Sequence, residues 1–245
     1  MTQRVVVAVL AAIVGGFAVG VPQAVAGTAS ALAPQPVAGY LISEADIGQA
    51  SVRFTVPTVT CTSTVPSSGA ILGAELIAPQ PLVAGFEISC TGNTALYTGV
   101  FVTGGFLTPI PGSVKPGDVV TAWVKQAVWT KDGKLFNQAN IANLTEGGGA
   151  SMGGNQVSTV TEAAVGVIGL DCAADGCAPV APFTKVSFAS AKLNGTNLAE
   201  SNLSAIRSLA GTVEAKAGPF DLTSKSHFTV SWVSTCATPD SNNRC

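Results

Sequence analysis

Apolar and polar residues alternate in short runs along most of this chain. In the run SVRFTV, Val52, Phe54 and Val56 fall on one side of an extended backbone, and the residues between them are polar. Comparable runs follow: LYTGVFV, VVTAWVKQAVW, QANIANLT, VSTVTEAAVGVIGL, TKVSFASA and HFTVSWV. A period of two, with β-branched and aromatic residues at the apolar positions, predicts strands with one face buried.

Turn residues separate these runs. Lys131-Asp132-Gly133-Lys134 predicts a hairpin, Pro116-Gly117-Asp118 predicts a turn, and the glycine-rich segment at residues 147–154 predicts a flexible hairpin tip. Only residues 199–210, AESNLSAIRSLA, carry apolar residues at a three-residue spacing, which predicts one short helix or a turn segment. Many strands with almost no helix predict an all-β sandwich or jelly roll.

The N-terminal segment has the form of a signal peptide. Arg4 precedes an apolar run at residues 5–21, Pro22 breaks it, and Ala24-Val25-Ala26 is a small-x-small cleavage site. A membrane anchor is the alternative, because the run is near the lower length limit for a span. We expect residues 1–26 to be removed, 27–36 to form a short leader and 37–245 to fold as one domain. The mature protein is then secreted and has no membrane contact.

Composition and motifs exclude several classes of function. Charged residues make up 11% of the chain, the net charge is −2, and no basic run occurs, which argues against nucleic-acid binding. His227 is the single histidine, so a Ser-His-Asp triad has no supporting context. No phosphate-binding loop or calcium loop is present, and we expect no cofactor and no metal.

The six cysteines of an exported chain indicate disulfides. Cys172 and Cys177 flank a short loop with an Asp-Gly turn, Cys236 and Cys245 bracket the C-terminal tail, and Cys61 and Cys90 each close a strand-like run. Zinc is the competing interpretation, but this spacing with one histidine fits no structural zinc site.

A series of motifs in fixed order resembles the glutamic peptidase family, the eqolisins. They are SVRFTVPTVTC, AILGAE, LVAGF, VKPGDVV, ANLTEG, FTKVSF and SHFTVSWV, between residues 51 and 233. The resemblance implies a concanavalin-like β-sandwich of two antiparallel sheets. It also implies a secreted acid endopeptidase in which a Glu acts as general base and a Gln amide stabilises the oxyanion on a concave sheet face.

The two catalytic positions are where this chain departs from the family. ILGAEL, residues 71–76, stands where the family has Trp-Val-Gly-Ile-Asp-Gly, and LVAG places Val83 at the family's Gln. Gln80, three residues earlier, is a weak candidate for the amide donor. Counting without gaps places Val165 at the family's Glu, whereas three extra residues in the Cys172–Cys177 loop place Glu162 there.

Three functions are compatible with these residues. The first is a non-catalytic homologue that binds peptide or glycan in its groove, the second is an acid endopeptidase using Glu162 and Gln80, and the third is a structural envelope or adhesion protein. In each case we expect a monomer.

Five aromatic residues could line the groove or could pack inside the fold: Tyr40, Tyr97, Phe101, Trp123 and Trp129.

The cysteine spacing gives a first prediction. We expect all six cysteines to be oxidised as Cys61–Cys90, Cys172–Cys177 and Cys236–Cys245, with each bridge contributing about 2–4 kcal/mol to stability. Peptide mapping without reduction checks the pairing. A Cys61 peptide linked to Cys172 or Cys245 would contradict it.

Overall fold

Short strands with alternating side chains build two antiparallel sheets. The structure, a computed structural model, describes residues 35–61, 67–112, 114–129, 135–154, 160–170, 180–198, 206–207, 215–217 and 226–232. The strands within these ranges are β1 Gln35–Ser43, β2 Gln49–Thr55, β3 Ser67–Ile77, β4 Leu82–Thr91, β5 Thr94–Thr103, β6 Phe106–Ile110, β7 Val119–Trp129, β8 Leu135–Asn143, β9 Gly149–Gly154, β10 Glu162–Gly169, β11 Val186–Leu193, β12 Thr196–Asn197, β13 Ile206–Arg207, β14 Ala215–Ala217 and β15 Phe228–Trp232.

The two sheets differ in how their strands are connected. The seven-stranded sheet has the order β13-β1-β10-β3-β4-β5-β6, in which β3 to β6 form a meander and β10 inserts between β1 and β3. The eight-stranded sheet has the order β14-β15-β11-β2-β7-β8-β9, with β12 paired to β11. Strands β3 and β4 of the first sheet lie over β7 of the second. The described residues therefore form the expected all-β sandwich.

Aromatic rings tie the two sheets together in the core between them. Phe54 of β2 meets Phe86 of β4 edge to face at 6.1 Å and Phe188 of β11 at 5.4 Å. Phe188 stacks on Phe228 at 4.8 Å, and Phe228 meets Tyr40 of β1 at 4.9 Å. Because β1 and β4 belong to one sheet and β2, β11 and β15 to the other, these contacts cross the sandwich twice.

Several expectations from the sequence are confirmed. A disulfide joins Cys61 to Cys90. Strands β7 and β8 pair as the two arms of the hairpin expected around residues 131–134, which lie outside the described residues. At Pro116-Gly117-Asp118 the chain turns, with Gly117 at a φ of 93° and the backbone amide of Asp118 donating to the carbonyl of Lys115.

Two local expectations are wrong. Gly149–Gly154 is not part of a hairpin tip but strand β9, paired with β8, and the turn comes before it at residues 144–148. Within the segment expected as a helix, Ile206 and Arg207 form a short strand on β1, because pairing to a free sheet edge outweighs a weak helical spacing. The rest of that segment lies outside the described residues.

Other expectations fall where the structure gives no description. The signal peptide and leader, apart from Gln35 and Pro36, and the cysteines at 172, 177, 236 and 245 lie outside the described residues. In the ranges that are described, no helix has the length and apolar character needed to cross a bilayer.

Four glycines stand side by side across the seven-stranded sheet. Gly39 of β1 pairs with Gly166 of β10, Gly166 pairs with Gly73 of β3, and Gly73 pairs with Gly85 of β4. A Cβ on any of them would lie closer than 3.0 Å to backbone atoms of the neighbouring strand. Gly39 and Gly166 also adopt φ values of 148° and 142°, which L-residues rarely reach. We call this set the glycine row. Because these positions have no side chains, the four strand backbones can lie closer together than a Cβ atom would allow.

The glycine row gives a prediction about stability. Gly73→Ala would drive a Cβ into the carbonyl oxygen of Ala84, which belongs to a central strand and cannot move alone. We expect the free energy of unfolding, measured by urea denaturation, to fall by about 1–3 kcal/mol or more. Gly48→Ala is the matched control, because its nearest neighbouring atom, Oδ1 of Asn194, is 3.4 Å away. A Gly73→Ala variant as stable as Gly48→Ala would show that the close approach is not a constraint.

Candidate functional site

The seven-stranded sheet has a second apolar face, turned away from the eight-stranded sheet. On β3, Leu72 and Ala74 point into the core between the sheets, so Ile71, Gly73 and Glu75 point the other way. A separate apolar cluster covers this side and is nearly free of solvent: Ile71, Val83, Val100, Val102 and Ile168, with Leu170 packed against it. We call this side of the sheet the outer face.

Glu75 is the one fully buried carboxyl group on the described part of this face. It is 1% exposed, and it sits on β3 between Ala164 of β10 and Val83 of β4. Its Oε2 atom has no hydrogen-bond partner among the described residues. The next row of the face is the glycine row, so Glu75 lies beside the part of the sheet that has no side chains.

Burial changes the acidity of Glu75. Removal from water penalises the charged form, and desolvation raises its pKa from the ordinary 4.5 to about 8. The side chain is therefore a neutral carboxylic acid across the acidic and neutral range. In that form it can donate one hydrogen bond and accept others.

Val83 occupies the position at which the family resemblance implies a Gln. It is fully buried, and it pairs with Glu75 on one side and with Val102 of β5 on the other. The row Ala164, Glu75, Val83, Val102 thus contains one carboxyl group and no amide. An oxyanion donor is missing at this point, because a valine side chain has no N–H group.

Glu162 and Gln80 lie at one end of this sheet. Glu162 begins β10, is exposed, and pairs with Ile77 at the end of β3. Gln80 is exposed in the turn that follows Ile77, and not on a strand. Glu162 and Glu75 are diagonal neighbours on the outer face, on adjacent strands. Such neighbours have Cα atoms about 7–8 Å apart. No hydrogen bond joins Glu162 to Gln80 among the contacts of the described residues.

Counting without gaps predicts that Val83 and Val165 stand at the family's Gln and Glu positions on one concave sheet face, and this prediction is wrong. Val165 belongs to the core between the sheets, whereas Val83 belongs to the outer cluster. Successive side chains of a strand point to opposite faces, so the outer face of β10 carries Glu162, Ala164 and Ile168. Of the two alignments considered for the family's Glu, the gapped one that selects Glu162 places its residue on the same face as Val83.

The aromatic residues do not line the outer face. Tyr40 and Phe101 lie in the core between the sheets, and the hydroxyl of Tyr97 accepts a hydrogen bond from the amide of Val59. Trp123 pairs with Ser51 on the other sheet, and the side chain of Trp129 is not described. Among the described residues, no group of three or more His, Cys, Asp or Glu side chains could hold a metal ion.

The amino-acid sequence indicates the burial of Glu75 through a pattern that is independent of the family motifs. Residues 70–77, AILGAELI, include one charged residue in an otherwise apolar run. A continuous apolar run predicts a strand buried on both faces, so a carboxyl group inside it should be buried and protonated.

Comparison with known proteins identifies the fold. No protein-family model matches the sequence, and no curated protein matches it. Two crystal structures of scytalido-glutamic peptidase, one with a transition state analog inhibitor and one with a peptide based transition state analog, match with TM-scores of 0.63 and 0.58 at 17% and 16% identity. They cover 81% and 82% of this chain, which spans 98% and 100% of theirs.

A third structure agrees with these two. SCP-B, a member of the eqolisin family of peptidases in complex with the tripeptide Ala-Ile-His, matches with a TM-score of 0.54 at 16% identity, covering 82% of this chain and 100% of its own. The described architecture is therefore the glutamic peptidase β-sandwich.

The buried carboxyl group gives a prediction on pH dependence. The pKa of Glu75 is about 8 in the folded protein and near 4.5 when the chain unfolds, so the folded state holds the proton more tightly. The resulting stability is complete below about pH 4.5 and is lost as pH rises toward 8, by up to about 1.4 kcal/mol per pH unit. Urea denaturation from pH 5 to 8 measures this slope.

Glu75→Gln is the matched variant, because an amide has the shape of the neutral acid and does not ionise in this range. We expect it to remove the decline and to be more stable than the parent at pH 8, with little difference at pH 5. An unchanged slope in the variant would assign the pH dependence to other groups.

Proposed function

We propose that this protein is a non-catalytic member of the glutamic peptidase group that binds peptide, or less favourably glycan, on its outer face. The observation that carries the proposal is the row Ala164, Glu75, Val83, Val102. It has valine where an amide donor is required, and its carboxyl group is protonated at the pH at which such peptidases act.

The missing amide removes one large contribution to catalysis. Deleting one oxyanion donor in a hydrolase costs about 2.7–4 kcal/mol of transition-state stabilisation. No other amide side chain stands on the described part of the outer face to replace it, since Gln80 lies in a turn at the edge.

Glu75 cannot act as a general base in acid. With a pKa of about 8 it holds its proton at pH 2–5, so it cannot accept one from water. These properties suit hydrogen bonding to a ligand better than they suit bond cleavage.

The face has the chemistry to receive an extended peptide. Apolar side chains of a ligand fit against Val83, Val100 and Ile168, and the neutral acid of Glu75 can donate to a peptide carbonyl and accept from an amide N–H. One similar structure holds a peptide based transition state analog and another holds a tripeptide, which supports peptide over glycan. Because the face is shielded from solvent in the free chain, binding requires that a ligand gain access to it.

The expected N-terminal signal peptide and the Cys61–Cys90 disulfide support export of this binding protein. Oxidised cysteines persist outside the reducing cytosol, so the proposed site of action is extracellular.

A second function, acid endopeptidase activity, rests on the position of Glu162 and Gln80. Both are exposed at the end of β3 and β10, where a substrate could reach them. In this alternative Glu162 is the general base and Gln80 the amide donor.

One assay separates the two functions. We expect the purified protein to show no cleavage of an unfolded protein substrate between about pH 2 and pH 5, the range for a carboxylate base. Glu162→Gln and Gln80→Ala should leave folding and this result unchanged. Cleavage that disappears in Glu162→Gln would overturn the non-catalytic proposal and identify the base. Cleavage that persists in both variants would also overturn it and would place the activity at another site.

A further inference from the structure

The eight-stranded sheet has an outer face of its own, on the opposite side of the sandwich from Glu75. On β2, Val52 and Phe54 point into the core, so Ser51 and Arg53 point outward. Cross-strand pairing continues this side onto β7, β8 and β9, where Ser51, Trp123, Asn140 and Ser151 stand in one row. We call this surface the polar platform.

Neutral hydrogen-bonding side chains fill most of the platform. Around the central row lie Gln49, Thr55, Thr121, Gln138, Ser187 and Asn197. Asn140 donates from Nδ2 to Oγ of Ser151 at 2.7 Å, which holds the amide in one orientation. The platform therefore presents donors and acceptors over several adjacent strands, with the Asn140–Ser151 pair held in place.

The charges on this platform have one sign. Arg53, Lys125 and Lys192 project from β2, β7 and β11, and on the described strands no Asp or Glu shares the face. Lys192 pairs with Ser51, Arg53 is diagonal to Trp123, and Lys125 is two residues along β7 from Trp123. The chain as a whole has a net charge of −2 and only 12 Lys and Arg residues, so three cations on one face are a local excess.

Trp123 stands in the middle of these cations. Its indole is half-buried on the solvent side of the sheet, between Ser51 and Asn140, and is not part of the core. Because the indole is only half-buried, part of its ring remains open to a ligand. An indole face is suited to stacking on the apolar C–H face of a pyranose ring.

We propose that the polar platform binds an acidic polysaccharide, a chain of uronate sugars. Trp123 stacks on one pyranose ring, and the side chains of Gln49, Asn140 and Ser151 form hydrogen bonds with sugar hydroxyls. Arg53, Lys125 and Lys192 pair with the carboxylates of neighbouring uronate units. Arg53 can bind a carboxylate through two N–H groups. This site is separate from the outer face of the other sheet and does not depend on the function proposed there.

Charge density favours a polyuronate over a nucleic acid. Nucleic-acid surfaces concentrate Lys and Arg along the phosphate path, whereas here three cations are dispersed among neutral hydroxyl and amide groups. A polyuronate offers both kinds of partner, one carboxylate and several hydroxyls on each ring.

Native affinity electrophoresis in gels containing sodium alginate, a polyuronate, tests the proposal with the full protein. Alginate should retard the protein at about 0.02 M salt and much less at about 0.5 M, where charge interactions are screened. Dextran, a neutral glucan, should not. Trp123→Ala should weaken alginate binding at least about tenfold, the loss of one good contact. The triple variant Arg53→Gln, Lys125→Gln, Lys192→Gln should abolish it.

Matched variants elsewhere control for charge and aromatic loss. Lys185→Gln removes an exposed cation from the loop before β11, and Phe106→Ala removes a side chain that is 73% exposed on the other sheet. Both should bind alginate like the parent. Thermal unfolding checks each variant, and the charge variants remain informative if Trp123→Ala fails to fold.

Three results would overturn the proposal. The first is no retardation of the parent by alginate. The second is equal weakening by Lys185→Gln and by each platform cation, which would indicate ion exchange without a site. The third is displacement of alginate by single-stranded DNA that binds more tightly and depends on the same residues, which would identify a nucleic-acid surface.

Discussion

The close approach of four strand backbones at the glycine row is the constraint on which the candidate site depends. Gly39, Gly166, Gly73 and Gly85 contribute no side chains, so β1, β10, β3 and β4 approach where any Cβ would collide with backbone. This pairing fixes the register of the strands on both sides. A shift of one residue would turn each outer side chain into the core. Glu75, Val83 and Ala164 stand in one row because that register is fixed.

The same register explains how a carboxyl group comes to be buried with its Oε2 atom unpaired among the described residues. The strand neighbours of Glu75, Ala74 and Leu76, lie in the core between the sheets and hold the backbone of β3 in place. The Glu75 side chain could therefore reach solvent only by bending toward the glycine row or toward the end of the sheet. For a carboxyl group in an apolar environment, remaining protonated costs less free energy than carrying a negative charge. The neutral acid is thus a consequence of strand pairing, and it links the pH dependence of stability to the chemistry of the outer face.

The strands and the sandwich could be predicted from the sequence because alternation and turn residues are local signals, and the disulfide could be predicted because Cys61 and Cys90 are the pair that remains once the two short-range pairs are assigned. Alternation in SVRFTV gives the faces of β2, and Cys61 and Cys90 close strand-like runs. The strand at Gly149–Gly154 could not be predicted, since its glycines carry no alternation and it forms by pairing with β8. Val165 was misplaced for a different reason. Counting along a motif fixes a position in sequence, whereas the face of a strand depends on register with β3.

The candidate site and the polar platform show how one sandwich supports unrelated surfaces. The inner faces of both sheets are committed to the aromatic core, in which Phe54, Phe86 and Phe188 interlock. The outer face of the eight-stranded sheet can vary without disturbing that core, whereas the outer face of the seven-stranded sheet is constrained by the glycine row. On one outer face, Val83 stands where the family resemblance implies a Gln, and the neighbouring acid Glu75 is neutral. On the other, cations and amides surround Trp123 with no acid to balance them among the described strands. One aromatic core can therefore carry two outer faces of different chemistry, one apolar with a neutral acid and one polar with three cations.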